Sequence, residues 1–302
     1  MTFTAFLLIF SSAITHATWN LLAKKRKMGL AFYAILCTMG ALIWSHVQFW
    51  TPVKVFSLPK EFWAVLAGTI TFDTLYGIAI TVIYKKMEMA TAYPVMRSLP
   101  IVFTALFTTL FGLGAPLTWT AVFGFLIVFA GALLMPLASF ADFKLTRYEN
   151  KGTLLLLAAA LGTTGYTIFD SLGVKIVAKC FPAISKTVCS LTYYSLRGIL
   201  LSLFFWGVTL CFREDRKEAK EFFMAKNLTP LVASMFSSST YILVLLAMNF
   251  VSNVSYVQVF RQLGLPVGMF AGVFFLKEKC TLTKVTGVVL ILGGLVLSTL
   301  KF

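Results

Sequence analysis

Acidic residues are scarce in this chain: 11 Asp and Glu stand against 26 Lys and Arg among 302 residues. So few carboxylates leave no acidic cluster to hold a divalent cation. Histidine is rarer still, with two in the whole chain, and no H-E-x-x-H or G-x-S-x-G pattern occurs, which argues against a metalloprotease or serine hydrolase. The five cysteines, Cys37, Cys180, Cys189, Cys211 and Cys280, form no C-x-x-C pair; neither a metal centre nor a disulfide framework follows from them. A G-x-x-x-x-G-K-[ST] phosphate loop is also missing, which excludes direct ATP drive of that type, and no cofactor motif is present.

What the chain has in abundance is apolar surface. It is 59% hydrophobic and 12% charged, with a mean hydropathy of +0.88, whereas soluble domains are roughly 45–50% apolar. The composition is that of an integral membrane protein. Apolar runs long enough to cross ~30 Å of hydrocarbon recur between short polar connectors. They predict ten helices, at about 2–22, 29–50, 61–84, 90–112, 117–139, 152–174, 187–211, 229–249, 252–276 and 281–300. No basic region precedes the first run, which therefore reads as a span and not as a cleaved signal. Trp44, Phe49, Trp50 and Trp63 suggest an interfacial aromatic belt. The connector 212–227, with its charged run from Arg213 to Glu218, reads as a solvated helix end.

The formal charge of +15 does not point to nucleic acid, because the basic residues sit in helix connectors without interleaved aromatics. Anionic lipid headgroups are the expected partners. Most Lys and Arg fall in connectors after the odd-numbered helices, including Lys24-Lys25-Arg26-Lys27. The positive-inside rule then puts both termini outside.

The two halves of the sequence resemble each other. The run Gly124–Gly131 of the fifth helix lines up with Gly287–Gly294 of the tenth, and Arg97 in the fourth lines up with Arg261 in the ninth. His16-Ala17-Thr18-Trp19-Asn20 parallels Tyr166-Thr167-Ile168-Phe169-Asp170, placing a polar ring, an aromatic and an amide or carboxylate on one helical face in each. An odd number of spans per repeat inverts the second half, a plan recurrent among secondary transporters with a site near the midplane. Residues 1–139 and 152–302 are the expected repeats, joined by the connector 140–151. Gly124, Gly131, Gly287, Gly293 and Gly294 are expected to permit close helix packing.

These residues resemble the drug/metabolite transporter superfamily, in particular its ten-helix EamA-like branch. The match rests on His16–Asn20 with Lys24, on Tyr93-Pro94-Val95-Met96-Arg97, and on Arg261-Gln262-Leu263 running through Pro266 to Leu276-Lys277-Glu278. The resemblance implies an all-α fold of two inverted five-helix repeats around a central cavity. It implies a secondary transporter that moves a small polar metabolite, amino acid or drug by alternating access, in a plasma membrane such as the bacterial inner membrane. A lipid-linked sugar translocase and a membrane-embedded enzyme are the alternatives. The sequence departs from the branch at Gln262, where an acid often stands, and at Gly112-Leu113-Gly114, where the first half has no counterpart of Glu278.

The candidate binding residues are Arg97, Arg261, Asp73, His16, Trp19, Asn20, Tyr76, Tyr93, Tyr166 and Asp170. A guanidinium in hydrocarbon cannot shed its proton, so each arginine faces a polar cavity, a partner or a ligand. The pair either grips an anionic or zwitterionic substrate or locks helices together through Asp73 and Asp170. Pro94 marks an expected helix irregularity beside Arg97. Asp170 is expected to pair locally with Lys175. Arg197, which has no repeat mate, either faces the cavity or meets an acid. Glu278, between two lysines, reads as a solvated helix cap.

Overall fold

The computed structural model describes residues 1–23, 29–86, 89–142, 151–224, 229–277 and 279–300. Lys24, Lys25 and Glu278 lie outside the described residues, as do the side chains of Trp19, Asn20 and Tyr93. Among the described residues the elements are helical: α1 (Phe3–Ala23), α2 (Leu30–Ser45), α3 (Val47–Trp50), α4 (Lys60–Lys86), α5 (Met89–Leu110), α6 (Trp119–Leu134), α7 (Lys151–Cys180), α8 (Lys186–Cys211), α9 (Arg213–Met224), α10 (Thr229–Met248), α11 (Ser255–Phe260), α12 (Gly264–Leu276) and α13 (Leu282–Thr299). Helices are what apolar chain must form in lipid, where every backbone N–H and C=O needs an internal partner. Seven segments of the described chain are long and apolar enough to cross a membrane; three more apolar helices, Phe3–His16, Pro94–Leu110 and Trp119–Leu134, are shorter. The chain is an all-helical integral membrane protein.

Local signals set several boundaries. Hydroxyls of Thr118, Ser185 and Thr281 cap α6, α8 and α13 by accepting from Ala121, Val188 and Lys284 N–H at 3.2, 3.3 and 3.4 Å. Lys277 ends α12 in the left-handed conformation, with φ 54°. The charged run after α8 forms a helix of its own, α9, whose Phe222 packs on Phe32 with ring centroids 5.9 Å apart. Trp44, half-buried, donates its indole N–H to Ser238 at 3.0 Å and so ties α2 to α10.

The helix break falls elsewhere than Pro94 suggests. Helix α5 runs unbroken through Pro94 and Pro100. The irregular backbone is on the other side, where a 3-10 turn at Arg261–Leu263 separates α11 from α12. Pro266 explains this, since it has no N–H to give the carbonyl of Gln262 four residues back, while its fixed φ suits the first turn of a new helix. The break thus sits on an arginine.

Packing is pairwise and extensive: α4 lies along α7, α1 along α10, α6 along α13 and α2 along α8. At the α6–α13 seam a Cβ on Gly124 would lie 2.5 Å from the Gly294 carbonyl, and one on Gly131 would lie 2.8 Å from that of Gly287. Four of the five expected packing glycines therefore meet in two pairs. Gly293 does not; it has open space around it.

At the end of the bundle that carries the termini, the loop after α5 grips the loop after α10. Ala115 donates its N–H to Ser252 O and accepts from Asn253 Nδ2, both at 3.0 Å. Asn253 Oδ1 in turn receives the Ser255 N–H at 2.9 Å, and Thr108 and Ser255 share a hydroxyl bond of 2.9 Å. Gly112 and Gly114 take φ of 62° and 114° to bring the chain into this contact.

Candidate functional site

A cavity of about 250 Å³ lies among α1, α2, α4, α5, α7, α8, α10 and the α11–α12 junction. Of the ten expected residues, six line it: His16, Asp73, Tyr76, Arg97, Tyr166 and Arg261. Arg97 and His16 both approach the start of α12, where a Cβ on Gly264 would lie 3.4 Å from Arg97 Nη2 and 3.7 Å from His16 Cδ2. Gln262 ties the halves together by donating its Nε2–H to the Arg97 carbonyl at 3.1 Å.

Asp170 sits one layer below the wall, fully buried. It does not reach Lys175. Residues five apart on a helix point about 140° apart around its axis, so the two cannot share a face. Its ligands come from other helices instead: Tyr193 Oη donates at 2.7 Å, Thr69 Oγ1 at 3.0 Å, and Tyr241 Oη to the second carboxylate oxygen. Arg197 Nε completes the set at 3.3 Å.

Arg197 is the residue that sequence reasoning undervalued. It lines the cavity and makes an ion pair through Nη2 with Asp73 Oδ2, so it serves both carboxylates at once. Both readings offered for it hold together, and its signal was plain: an arginine in the apolar interior of a helix. The absence of a repeat mate gave it too little weight. The pairing of Asp73 and Asp170 with Arg197 also decides the partner of each acid, and neither forms an ion pair with Arg261 among the described residues.

Arg261 is held otherwise. Its Nη1 donates to Gln258 Oε1 at 3.4 Å, and its guanidinium faces the Tyr241 ring at 5.9 Å, with that of Arg197 at 4.6 Å from the same ring. Tyr241 and Tyr166 meet edge to face at 6.0 Å, as do Tyr166 and Tyr76 at 5.9 Å. At this level three guanidinium ions stand against two carboxylates among the described residues, and both carboxylates are engaged by one of the three. The cavity wall is thus rich in guanidinium groups in a low-dielectric surround, where such a group can engage an anion through charged hydrogen bonds.

Two further observations set the shape. On α2, α4, α8 and α10 the lining residues run from the charged level toward the same end of the bundle: Gly40 to Tyr33, Asp73 to Ile80, Arg197 to Phe205 and Tyr241 to Ser234. That end holds Lys86, Lys151, Arg213 and Lys277 at its helix ends, against Lys60 and Lys186 at the helix ends opposite. The other end is shut by the Asp170 cluster, by buried Phe62, Leu66, Tyr193 and Leu245, and by the Ala115–Asn253 contact.

No family model matches this sequence, and no curated protein matches it. Among solved structures, the chain is similar to a crystal structure of a protein with 16% identical sequence, over 98% of this chain and 97% of that chain, with a TM-score of 0.64. The likeness is one of fold, and it extends over the full length.

Proposed function

We propose that this protein is a secondary transporter of the EamA-like branch of the drug/metabolite transporter superfamily. It would move a small anionic or zwitterionic solute by alternating access. The observation that carries the reading is the cavity itself, where arginines from three different segments, Arg97, Arg197 and Arg261, converge at the middle of an apolar bundle. Charge placed at membrane depth is costly, and a polar solute's path is the usual reason for it. At about 250 Å³ the cavity is smaller than the ~300–1,000 Å³ of drug-sized sites, which favours a metabolite.

Ten spans in two inverted repeats, 1–139 and 152–302, form part of the proposal. Helix pairing supports it: α4 on α7 has its counterpart in α10 on α1, α5 on α7 in α12 on α1, and the pairs α6–α13 and α2–α8 map onto themselves when the halves are exchanged. By the positive-inside rule the end with the larger share of Lys and Arg, that of Lys86, Arg213 and Lys277, faces the cytoplasm. The cavity then faces inward, in a plasma membrane or bacterial inner membrane.

Flux into proteoliposomes tests the function. Saturable, substrate-dependent uptake or efflux that falls in Arg97→Ala and Arg261→Ala, at unchanged melting temperature, supports it. Turnover of a substrate in detergent, with no vesicle needed, would overturn it in favour of an enzyme.

A further inference from the structure

The charged run after α8 is sorted by face. Each residue of a helix turns about 100° around its axis, so Arg213, Arg216, Lys217 and Lys220 of α9 fall within an arc of roughly 100°, and all four are exposed. The far side carries buried Asp215 and Ala219 with half-buried Phe222, and Glu214, Glu218 and Glu221 fill the sector between. We infer that α9 is a docking helix for anionic phospholipid headgroups, and that the bound lipid holds the cavity-lining helix α2 in its present place. The inference stands apart from the transporter reading and needs only a chain embedded in a bilayer.

A row of cations at helical spacing calls for a counter-charge. Arg213 neighbours Arg216 and Lys217, and Lys220 neighbours the same two, each three or four residues away; like-charged pairs at this spacing weaken a helix. Among the described residues none of the four forms an ion pair, and Arg216 gives its Nη1 to the Leu210 carbonyl at the end of α8. Glu218 is turned elsewhere. Its carboxylate lies against Gly29, where a Cβ would collide with it, at the positive end of the α2 dipole.

The neighbours of the row identify the counter-charge as lipid. Exposed apolar side chains run along α8 at Leu203, Phe204 and Leu210 and continue into Phe212, so hydrocarbon reaches to within one residue of Arg213. Met224, 71% exposed, falls inside the basic arc itself. Apolar side chains among cations suit a headgroup layer, where phosphates lie just outside the hydrocarbon, and a basic amphipathic helix is the usual reader of such a surface. A water-soluble anion would give Met224 and Phe212 no role.

The other side of α9 carries the effect inward. Phe222 packs on Phe32 at 5.9 Å, and Phe32 clusters with Leu36 and Ala233. Leu36 lines the cavity. Since a ligand favours whichever state it binds better, lipid on α9 favours the arrangement in which α2 leaves the cavity open toward this end.

A fluorophore on Met224→Cys, in a full-length background without other cysteines, reports the lipid beside α9 through quenching by brominated lipid. In phosphatidylcholine vesicles containing phosphatidylglycerol, brominated phosphatidylglycerol should quench more than its bulk fraction predicts. Each basic residue near an anionic surface contributes about five-fold. Arg213→Gln, Lys217→Gln and Lys220→Gln together should therefore weaken the preference roughly a hundred-fold, whereas Glu214→Gln with Glu221→Gln should not weaken it. Lys220→Gln alone should give the single five-fold step, which keeps the test decisive if the triple variant melts low. With Cys37 as the single cysteine, an impermeant thiol reagent added on the α9 side should label faster when phosphatidylglycerol is present, and the triple variant should lose that difference. Equal quenching by the two brominated lipids, or a preference unchanged by the substitutions, overturns the docking site. Relief of the quenching by soluble glycerol phosphate would assign the row to a water-soluble anion and overturn the lipid. Preferential quenching with equal Cys37 labelling in both vesicles overturns the hold on α2.

Discussion

Arg197 on α8 and Asp73 on α4 form an ion pair that crosses between the two halves of the chain. Because the same guanidinium also reaches Asp170, two acids share one cation, Asp73 with 14% of its side chain exposed and Asp170 with none. The consequence for the cavity is that, among the described residues, its acids are held by Arg197 and not by Arg261.

Removing Arg197 should therefore cost more than removing either acid. Arg197→Ala leaves two carboxylates buried without their cation, a loss of about 3–5 kcal/mol for a buried pair broken from one side. Asp73→Asn keeps a polar group beside Arg197 while Asp170 still holds it, so its loss should be smaller. Melting in detergent checks the order; a wild-type melting temperature for Arg197→Ala would mean the acids do not depend on it.

For the arginines facing the cavity, charge alone should not suffice. Arg97→Lys and Arg261→Lys keep the charge but lose the planar fork that engages a carboxylate through two donors. Losing one charged hydrogen bond of about 1.5–3 kcal/mol corresponds to roughly a ten- to hundred-fold drop in flux, measured in proteoliposomes at matched protein incorporation. Full flux in both variants would remove the anion site.

These arginines were legible in the sequence because a fixed charge inside an apolar run needs a cavity, a partner or a ligand, and the similarity of the halves marked Arg97 and Arg261 as a pair. Arg197 had the same signature without a mate. Asp170 and Lys175 illustrate the opposite error, since closeness in sequence suggested a contact that helix geometry forbids. The helix break was misplaced for a related reason: proline is the visible punctuation, but Pro94 sits within an unbroken α5 while Pro266 breaks the helix at the carbonyl it cannot reach. Pairings such as Asp170 with Thr69, Tyr193 and Tyr241 join four helices, and no local pattern encodes them.

The glycines at the α6–α13 seam offer a comparison between neighbours. A Cβ on Gly294 would lie 2.6 Å from the Gly124 carbonyl, whereas Gly293 has nothing within contact distance. Gly294→Ala should push the helices apart and lower the melting temperature. Gly293→Ala should hold or raise it, because alanine gains up to about 1 kcal/mol over glycine inside a helix. Equal effects at the two positions would show that the seam is not set by backbone contact.

The contact between Ala115 and Asn253 makes the most direct statement about alternating access. Asn253 holds the Ala115 carbonyl and, through its own oxygen, the Ser255 N–H that starts α11, so a single side chain joins the closed end to the helix leading to Arg261. Asn253→Ala removes both bonds, each worth about 0.5–1.5 kcal/mol, and should raise the population open toward the terminus-bearing face by roughly ten-fold. Cys37 reports this, as it lines the cavity. In a variant keeping it as the single cysteine, an impermeant thiol reagent added at the terminus-bearing face should label Cys37 faster when Asn253 is alanine, and the substrate should protect it. If labelling from that face stays at the level of the parent, the loop contact is not what keeps this end shut, and the buried Asp170 cluster must hold it closed alone.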